Sequence, residues 1–382
     1  MQKSKVFNAI DRPDVWKKVL AGKRIGLLTN PSGVDRDLRL TSDILHENGM
    51  LTCLFSPEHG VRGDMQAGVR IENYIDPKTG VPAYSLYGAS KNVAPEVMDT
   101  IDAIAFDIQD VGARFYTFIY SLSYVMEDCA RYGKEVIIFD RLNPLGGVKP
   151  EGNILEPEFA SFIGRYPLAA RFNMTVGEFA KYINVTQNIN CNLTVIPIEG
   201  WSRDCLFHET DLSWVSPSPN LPTPDSCFCY IGTCITEGTN MSEGRGTNHP
   251  FECIGAPWLD SDEVVSYMDS LGFEGVKFRP YHFTPTFSKH KGELCHGIQL
   301  HITDHRAFTP FEVGLYLVDH IRKTYPEFRF KPPESYGHIH MDDVFGSDEF
   351  RRDDFDVAQY LAQQAEKLAQ HEENIKPYYI YS

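Results

Sequence analysis

Four short segments of this sequence bring together side chains that often do chemistry: carboxylates, guanidiniums, an imidazole and phenols. Three of them directly follow short apolar runs, at residues 56–63, 107–116 and 140–147. The fourth, residues 236–247, contains three glycines, two glutamates and an arginine. That composition suits neither a helix nor a strand, so we interpret the segment as a binding loop rather than a flexible linker. These four segments are the candidates for a functional site.

The apolar runs that precede these segments predict the strands of a parallel sheet. From residue 23 to about residue 144, β-rich runs alternate with amphipathic stretches, and this βαβ rhythm implies helices on both faces of the sheet. We therefore predict an α/β fold with a Rossmann-like, doubly wound and mainly parallel sheet. The predicted strands lie near residues 24–29, 51–55, 101–107 and 135–139, and the predicted helices near 39–48 and 115–132.

Between residues 197 and 224 this rhythm gives way to a stretch dense in tryptophan, proline, serine and asparagine, notably residues 214–224. We interpret it as a rigid loop that leads the chain out of a first domain. The mixed pattern beyond it predicts a Rossmann-like domain over residues 1–228 and a smaller α+β domain over residues 229–382. In this second part, helices are predicted near residues 261–271, 310–324 and 354–372, and strands near 275–279 and 297–303.

Ligands of open α/β sheets bind beyond the carboxyl ends of the strands. We therefore expect the polar residues that follow the predicted strands to meet on one rim of the sheet. An aspartate after a strand can also cap a helix or tie two loops together, so each residue alone has a structural alternative. The residues expected on this rim are Glu58, Asp107, Asp110, Arg114, Tyr116 and Asp140.

The overall composition argues against several classes of protein. The chain has 382 residues, of which 42% are hydrophobic and 23% charged, and this is enough apolar material to form cores. Its 36 Lys+Arg and 52 Asp+Glu give a net charge of −16, which repels nucleic acid and anionic membrane surfaces. No apolar run approaches the ~18 residues of a membrane helix. We therefore expect a small ligand, with neither nucleic acid nor a membrane as a partner.

Motifs for common cofactors are missing from the sequence. The first predicted strand leads into Thr29-Asn-Pro-Ser-Gly-Val instead of G-x-G-x-x-G, and there is no G-x-x-x-x-G-K-[ST]. H-E-x-x-H and G-x-S-x-G are also absent. The nine cysteines lack paired C-x-x-C spacing and are predicted to be mostly buried thiols. We therefore expect no metal and no cofactor.

A carboxylate-rich site with tyrosines and arginines fits carbohydrate chemistry. Glycoside cleavage needs one protonated carboxyl to release the leaving oxygen, and one anionic group to stabilise positive charge on the sugar or to activate water. Aromatic rings can stack on the faces of the sugar. Because a guanidinium binds a carboxylate through two nitrogens, the arginines suggest a sugar that itself carries a carboxylate.

Six motifs spread over nearly the whole chain resemble those of the NamZ-type exo-β-N-acetylmuramidases, a family formerly described as a domain of unknown function. They lie at residues 56–60, 107–117, 140–144, 217–223, 237–247 and 376–381. The resemblance implies a glycoside hydrolase that removes β-1,4-linked N-acetylmuramic acid from the non-reducing ends of peptidoglycan fragments. It also implies that residues 1–228 are the catalytic domain, that residues 229–382 are an auxiliary domain, and that the active site lies in the cleft between them.

The resemblance also implies roles for individual residues. Glu58 is expected to be the general acid, since its place at a strand end beside a hydrophobic residue suits a carboxyl that must hold a proton. For the second carboxylate, Glu237 and Glu243 compete, with Asp110 behind them. Retaining, inverting and substrate-assisted mechanisms all stay open. The expected substrate-binding residues are His59, Tyr116 and Asn240, together with Arg62, Arg114 and Arg245 as candidates for the lactyl carboxylate.

Two other functions are compatible with the same residues. One is a non-catalytic muropeptide-binding protein, which needs hydrogen bonds but no paired carboxylates. The other is an acyl or amide hydrolase that uses Ser56 or a cysteine with His59. Since peptidoglycan lies outside the cytoplasm and no export signal is visible, we expect the chain in the cell envelope if a signal peptide was removed, and otherwise in the cytoplasm.

Overall fold

A computed structural model describes residues 3–58, 60–63, 72–87, 91–333 and 339–382. The α-helices are α1 (Pro13–Leu20), α2 (Thr41–Glu47), α3 (Pro95–Met98), α4 (Phe118–Tyr132), α5 (Val176–Thr186), α6 (Pro224–Thr233), α7 (Ser261–Ser270), α8 (Pro310–Thr324), α9 (His340–Phe345) and α10 (Val357–Ile375). The strands are β1 (Ile25–Thr29), β2 (Leu51–Ser56), β3 (Tyr74–Ile75), β4 (Pro82–Ser85), β5 (Ala103–Asp107), β6 (Glu135–Phe139), β7 (Glu151–Ile154), β8 (Ala169–Arg171), β9 (Asn192–Ile196), β10 (Cys253–Ala256), β11 (Val276–Phe283) and β12 (Cys295–Ile302).

The largest sheet has the strand order of a doubly wound α/β fold. Across the sheet the order is β3-β4-β2-β1-β5-β6-β9, and every neighbouring pair is parallel except β3 with β4. The chain begins in the middle with β1, moves outward to β2 and β4, and then returns to the other side of β1 to add β5, β6 and β9. This reversal of direction between β1 and β5 confirms the predicted fold class.

Alternating residues of the central strands enter two separate cores, because successive side chains of a strand point to opposite faces of the sheet. On one face, Leu27 packs with Trp16 of α1 and Leu45 of α2. On the other face, Leu28 shares a core with α4 and α5, including Phe179. Burial of each such side chain contributes about 1.5–3 kcal/mol. The two cores hold the strand ends, and the loops that follow them, in fixed positions.

Two smaller antiparallel sheets accompany the large one. β7 and β8 form the first, within the part of the chain that precedes α6. The second has the order β10-β12-β11, and β11 and β12 are a long hairpin joined by residues 284–294. α7 packs against this hairpin. The region after α6 is therefore an α+β arrangement, as predicted.

The predicted domain boundary falls inside α6. Position 228/229 lies in the middle of this helix, and the residues on either side of it are buried. α6 crosses α8 at very short range, since a Cβ at Gly314 would overlap the carbonyl of Gly232. One apolar cluster draws residues from both parts of the chain. The division into two domains stays a prediction, and α6 is the element that joins the two parts.

Two further observations concern the class of protein. None of the helices in the described ranges is both long and apolar enough to span a bilayer. The cysteines are all buried and free, in agreement with the prediction of buried thiols. Burial raises the pKa of the Cys53 thiol to about 12, so this group stays protonated at neutral pH.

Candidate active site

A cavity of about 200 Å³ is lined by residues that follow the carboxyl ends of β2, β4 and β5. The proline-rich segment before α6 and the residues after α6 complete its walls. The polar lining residues are Glu58, Tyr87, Tyr116, Thr117, Ser218, Tyr230, Glu237 and Arg245, and the apolar ones are Phe115, Phe118, Phe162, Ile163, Leu221 and Phe251. The cavity therefore combines two carboxylates and a guanidinium with aromatic walls.

Glu58 reaches this cavity from a position two residues beyond the end of β2 at Ser56. Because β2 and β4 are parallel neighbours, the residues after both strands emerge at the same edge of the sheet. The Tyr87 hydroxyl, just after β4, donates a hydrogen bond of 3.0 Å to Glu58 Oε1. Oε2 has no partner among the described residues. Glu58 is thus a half-buried carboxyl that a phenol holds at one oxygen.

Glu237 reaches the cavity from a 3-10 turn, Cys234–Gly238, that directly follows α6. Arg245 Nη2 and Nε lie 2.5 and 3.1 Å from Glu237 Oε1. Burial alone would raise the pKa of Glu237, but the adjacent guanidinium outweighs burial, and the pKa lies below its ordinary value. Glu237 is therefore an anion at neutral pH.

Arg245 is shared between two carboxylates. Its Nε also lies 3.2 Å from Glu243 Oε1, and Glu243 Oε2 lies 2.7 Å from Lys289 Nζ. Glu243 is only 2% exposed and does not line the cavity, so it lies behind the wall. The third nitrogen of Arg245, Nη1, has no acceptor within the described ranges. Arg245 therefore keeps one donor available to a ligand.

Tyr116 is 8% exposed and carries a hydroxyl without a partner. Ser218 lies close to this hydroxyl, but no described residue makes a hydrogen bond of acceptable geometry to it. The ring packs edge-on against Phe118 and Tyr230, with centroid distances of 4.9 and 6.2 Å. A buried hydroxyl without a partner costs about 1–3 kcal/mol. A ligand that supplies the partner removes this cost, which suits a binding role for Tyr116.

Two arginines expected in the site lie elsewhere. The terminal nitrogens of the fully buried Arg114 donate to four backbone carbonyls, including those of Asn153 and Phe345 at 2.7 and 2.6 Å. Arg62 binds Asp76 through two nitrogens, at 2.6 and 2.7 Å. Neither arginine lines the cavity. Both guanidiniums are already engaged: Arg114 ties the loop before α4 to β7 and α9, and Arg62 fixes the loop after β2. The structure therefore does not bring them to the cavity as expected, and their binding of a substrate carboxylate stays a prediction.

Asn240 and Asp110 also lie outside the cavity wall. The amide of Asn240 donates to the carbonyl of Glu327 and accepts from the N–H of Arg329, at 2.9 Å in each case. Asp110 is buried and accepts a backbone N–H at 2.7 Å, and burial raises the pKa of its carboxyl to about 7. Both side chains therefore support loops instead of meeting the cavity. His59 lies outside the described residues, so its expected role stays a prediction.

The acids at the ends of β5 and β6 are paired inside the fold. Asp107 Oδ1 and Oδ2 lie 2.5 and 3.0 Å from Nε and Nη2 of Arg141. Asp140 accepts two hydroxyl hydrogen bonds and is fully buried. The expected convergence of six residues on one rim is therefore wrong in part. Glu58 and Tyr116 line the cavity. The expected residues that do not line it are Asp107, Asp110, Arg114 and Asp140.

The nucleophiles expected for an acyl or amide hydrolase do not line the cavity. Ser56 is fully buried, and its hydroxyl donates to the carbonyl of Pro57 at 3.2 Å. The cysteines are buried, and none of them lines the cavity. No serine or cysteine expected as a nucleophile therefore reaches this site.

Several cavity residues lie in segments where the sequence offers no motif. Tyr87 and Phe162 belong to short connections, and Phe251 lies in a turn with a positive φ of 64°. Ser218 and Leu221 come from the proline-rich stretch, which we interpreted as a loop between domains; residues 217–223 are one of the six family motifs, but neither residue was expected in the site. The available signal was its composition, because a rigid, irregular segment inside a compact fold often carries function.

The fold and the cavity together define a class of protein: an α/β protein with two carboxylates in one cavity beside the carboxyl ends of its strands, an arrangement that suits glycoside cleavage. Family models described as Exo-beta-N-acetylmuramidase NamZ, N-terminal and C-terminal, match residues 25–225 and 228–381. The chain is 51% identical over 340 residues to the peptidoglycan beta-N-acetylmuramidase NamZ of Bacillus subtilis (strain 168). The aligned region covers 88% of this chain and 82% of the relative. The chain therefore belongs to the NamZ exo-β-N-acetylmuramidase family, as its motifs predicted.

Two solved structures have the same fold over essentially the whole chain. Both are DUF1343 family proteins from Bacteroides fragilis NCTC 9343. One superposes with a TM-score of 0.90 at 34% identity and covers 100% of both chains. The other superposes with a TM-score of 0.81 at 29% identity and covers 99% of both chains. The combination of a doubly wound sheet with an α+β region is therefore shared with crystallographically determined relatives.

Proposed function

We propose that this chain is a glycoside hydrolase that releases N-acetylmuramic acid from the non-reducing ends of peptidoglycan fragments. The observation that carries the proposal is the presence of two carboxylates with different partners in one cavity. Glu58 contacts a neutral phenol, whereas Glu237 contacts a guanidinium. Glycoside hydrolysis needs this difference, since one carboxyl must give a proton and the other must stay charged. Membership of the NamZ family supports the same reaction.

In this proposal Glu58 is the general acid. Tyr87 occupies Oε1, so Oε2 is the oxygen that can carry a proton towards the glycosidic oxygen. Glu237 is the anionic partner, which stabilises positive charge on the sugar ring or activates a water molecule. Arg245 keeps Glu237 charged and prevents it from competing for the role of acid.

The remaining lining residues suit a sugar that carries a carboxylate. Of the three arginines considered from the sequence, Arg245 alone lines the cavity, and its Nη1 is the donor that we assign to the lactyl carboxylate. The hydroxyls of Tyr116 and Ser218 are available to the ring substituents and the N-acetyl group. Aromatic side chains, among them Phe118 and Phe162, provide apolar walls. The small volume suits one terminal sugar, in agreement with exo action.

The test is the release of N-acetylmuramic acid from a chromogenic β-muramide. We expect Glu58→Gln to lower kcat at least about a hundredfold, the scale of a lost general acid. The matched control is Glu96→Gln, an exposed glutamate at the start of α3, which should keep wild-type turnover. Unchanged turnover in Glu58→Gln would reject Glu58 as the acid. A wild-type chain that binds the disaccharide and leaves it intact would instead identify a muropeptide-binding protein.

A further inference from the structure

Lys289 lies behind the cavity wall, in the connection between β11 and β12, and does not line the cavity. Its side chain is 17% exposed. Nζ donates to the carbonyls of Thr236 and Thr239, at 2.7 and 3.2 Å, and lies 2.7 Å from Glu243 Oε2. Nζ thus donates two hydrogen bonds to backbone carbonyls and forms an ion pair with Glu243. Nothing in the sequence around Lys289 singled it out.

These contacts place Lys289 at the end of a row of four alternating charges. The row begins at the cavity with Glu237, continues through Arg245 and Glu243, and ends at Lys289. Two carboxylates and two cations leave it neutral overall. Arg245 has a carboxylate on each side, so its attraction to Glu237 depends on how strongly Glu243 competes for it. Lys289 decides that competition because it neutralises Glu243 from the far side.

We propose that Lys289 is a positioning residue for the hydrolytic reaction: by engaging Glu243, it keeps the Arg245 guanidinium committed to Glu237 at the cavity. The inference rests on the proposed function, in which Glu237 acts as the anionic partner of the general acid. It adds a residue that touches neither the substrate nor the general acid.

The surroundings of Glu237 give the sign of the expected effects. Burial raises the pKa of Glu237, and Arg245, Lys289 and His340 lower it. Loss of the Lys289 charge therefore raises the pKa of Glu237, both directly and by freeing Glu243 to attract Arg245. Loss of the Glu243 charge has the opposite effect, since Arg245 then serves Glu237 alone. The other titratable groups that face this row are Tyr230, Cys234, Cys253 and Lys331.

The experiment is a double-mutant cycle read from the pH dependence of kcat/KM on a chromogenic β-muramide. In Lys289→Met the acidic limb, below which Glu237 becomes protonated, should move to higher pH by about half a unit or more. In Glu243→Gln it should move to lower pH. In the double variant the two effects should largely cancel, because the row is again neutral. At a pH on the limb, half a unit corresponds to about a threefold change in rate.

Three further variants and measurements separate this effect from loss of structure. Lys289 also holds two carbonyls of the 236–239 turn, so thermal denaturation is measured for every variant. Lys289→Arg, which keeps the charge, should keep the wild-type limb, and Lys291→Met, which removes an exposed charge from the same connection, should do the same. If Lys289→Met does not fold, the downward shift in Glu243→Gln still tests the proposal.

The outcomes that reject the inference differ from those that reject the function. The role of Lys289 alone is overturned if the wild-type chain is active but the acidic limb of the pH profile moves in the same direction in both single variants. The same holds if the limb moves in neither of them. A purely structural role would lower kcat/KM at all pH values without moving the limb. A wild-type chain that releases no N-acetylmuramic acid overturns the proposed function, and this inference with it.

Discussion

Two carboxylate–guanidinium pairs in this chain have similar contact distances and very different surroundings. Where the strand order of the main sheet reverses, Arg141 lies 2.5 Å from Asp107, and their side chains are 4% and 0% exposed. At the cavity, Arg245 also lies 2.5 Å from Glu237, but these side chains are 22% and 21% exposed. The first pair, here called the closed pair, is buried and uses both carboxylate oxygens. In the second, here called the open pair, the Nη1 of Arg245 has no acceptor among the described residues.

The comparison gives a reason for the position of the proposed site in this fold. In an open doubly wound sheet, the crevice at the reversal of strand order is the usual ligand site. Here Asp107 and Arg141 fill that position, and Thr41 donates a further hydrogen bond to Asp107 at 2.5 Å. The proposed site lies instead beyond β2, β4 and β5 and on the turn after α6. Loss of one partner of a closed pair leaves an unpaired buried charge, whereas a partly open pair with a spare donor can meet a substrate.

The largest effect is expected on stability, when the closed pair of Asp107 and Arg141 is broken. Arg141→Met leaves the Asp107 carboxylate buried without its partner, and we expect a loss of about 3–5 kcal/mol in the free energy of unfolding, measured by urea denaturation. Arg39→Met is the control, because its ion pair with Glu47 is exposed on both sides and should contribute less than about 1 kcal/mol. Equal losses in the two variants would contradict the distinction between closed and open pairs.

The next largest effect is a loss of activity, expected when the open pair of Glu237 and Arg245 is broken. Glu237→Gln keeps the size of the side chain and removes its charge, so we expect kcat to fall about a hundredfold while the thermal midpoint changes little. Glu127→Gln is the control, since Glu127 forms a similarly half-exposed pair with Arg165 away from the cavity. If Glu237→Gln retains full activity, the second carboxylate must be sought elsewhere.

The smallest effect is expected when Glu58, the proposed general acid, loses its hydrogen bond from Tyr87. Tyr87→Phe removes the phenol that holds Glu58 Oε1 and keeps the ring, so kcat/KM should fall about three- to tenfold, the scale of one hydrogen bond. Tyr124→Phe, on α4 and outside the cavity lining, should match the wild type. A loss in Tyr87→Phe no greater than that in Tyr124→Phe would mean that this hydrogen bond does not orient the acid.

The regular elements were predictable because their signals are local. β6 and α8 have the predicted bounds, since an apolar run with clear polar ends defines the strand, and a proline start with apolar periodicity defines the helix. The sequence also identified Glu58, Glu237, Tyr116 and Arg245, which all line the cavity. Their roles in catalysis and binding stay predictions.

The arginines needed information that a local pattern does not contain. Arg114 follows a strand and resembled a ligand-binding residue, but its partners include carbonyls at Asn153 and Phe345, far away in the sequence. A long side chain can turn towards the core or towards the cavity, and only the tertiary fold decides between them. Lys289 could not be identified from the sequence for the same reason. Its partners, two backbone carbonyls and the Glu243 carboxylate, come close to it only when the 236–247 segment folds over the hairpin connection.

The crossing of α6 and α8 has a consequence for the spacing of the two carboxylates. Glu58 is anchored to the parallel sheet, whereas Glu237 is carried at the end of α6. Because Gly232 and Gly314 let the helix backbones touch, α6 cannot slide towards α8 and can only be pushed away from it. A methyl group at position 314 would therefore push α6 away from α8, and with it the turn that carries Glu237. In the proposed mechanism, these two glycines thereby help to fix the position of the anionic carboxylate relative to Glu58.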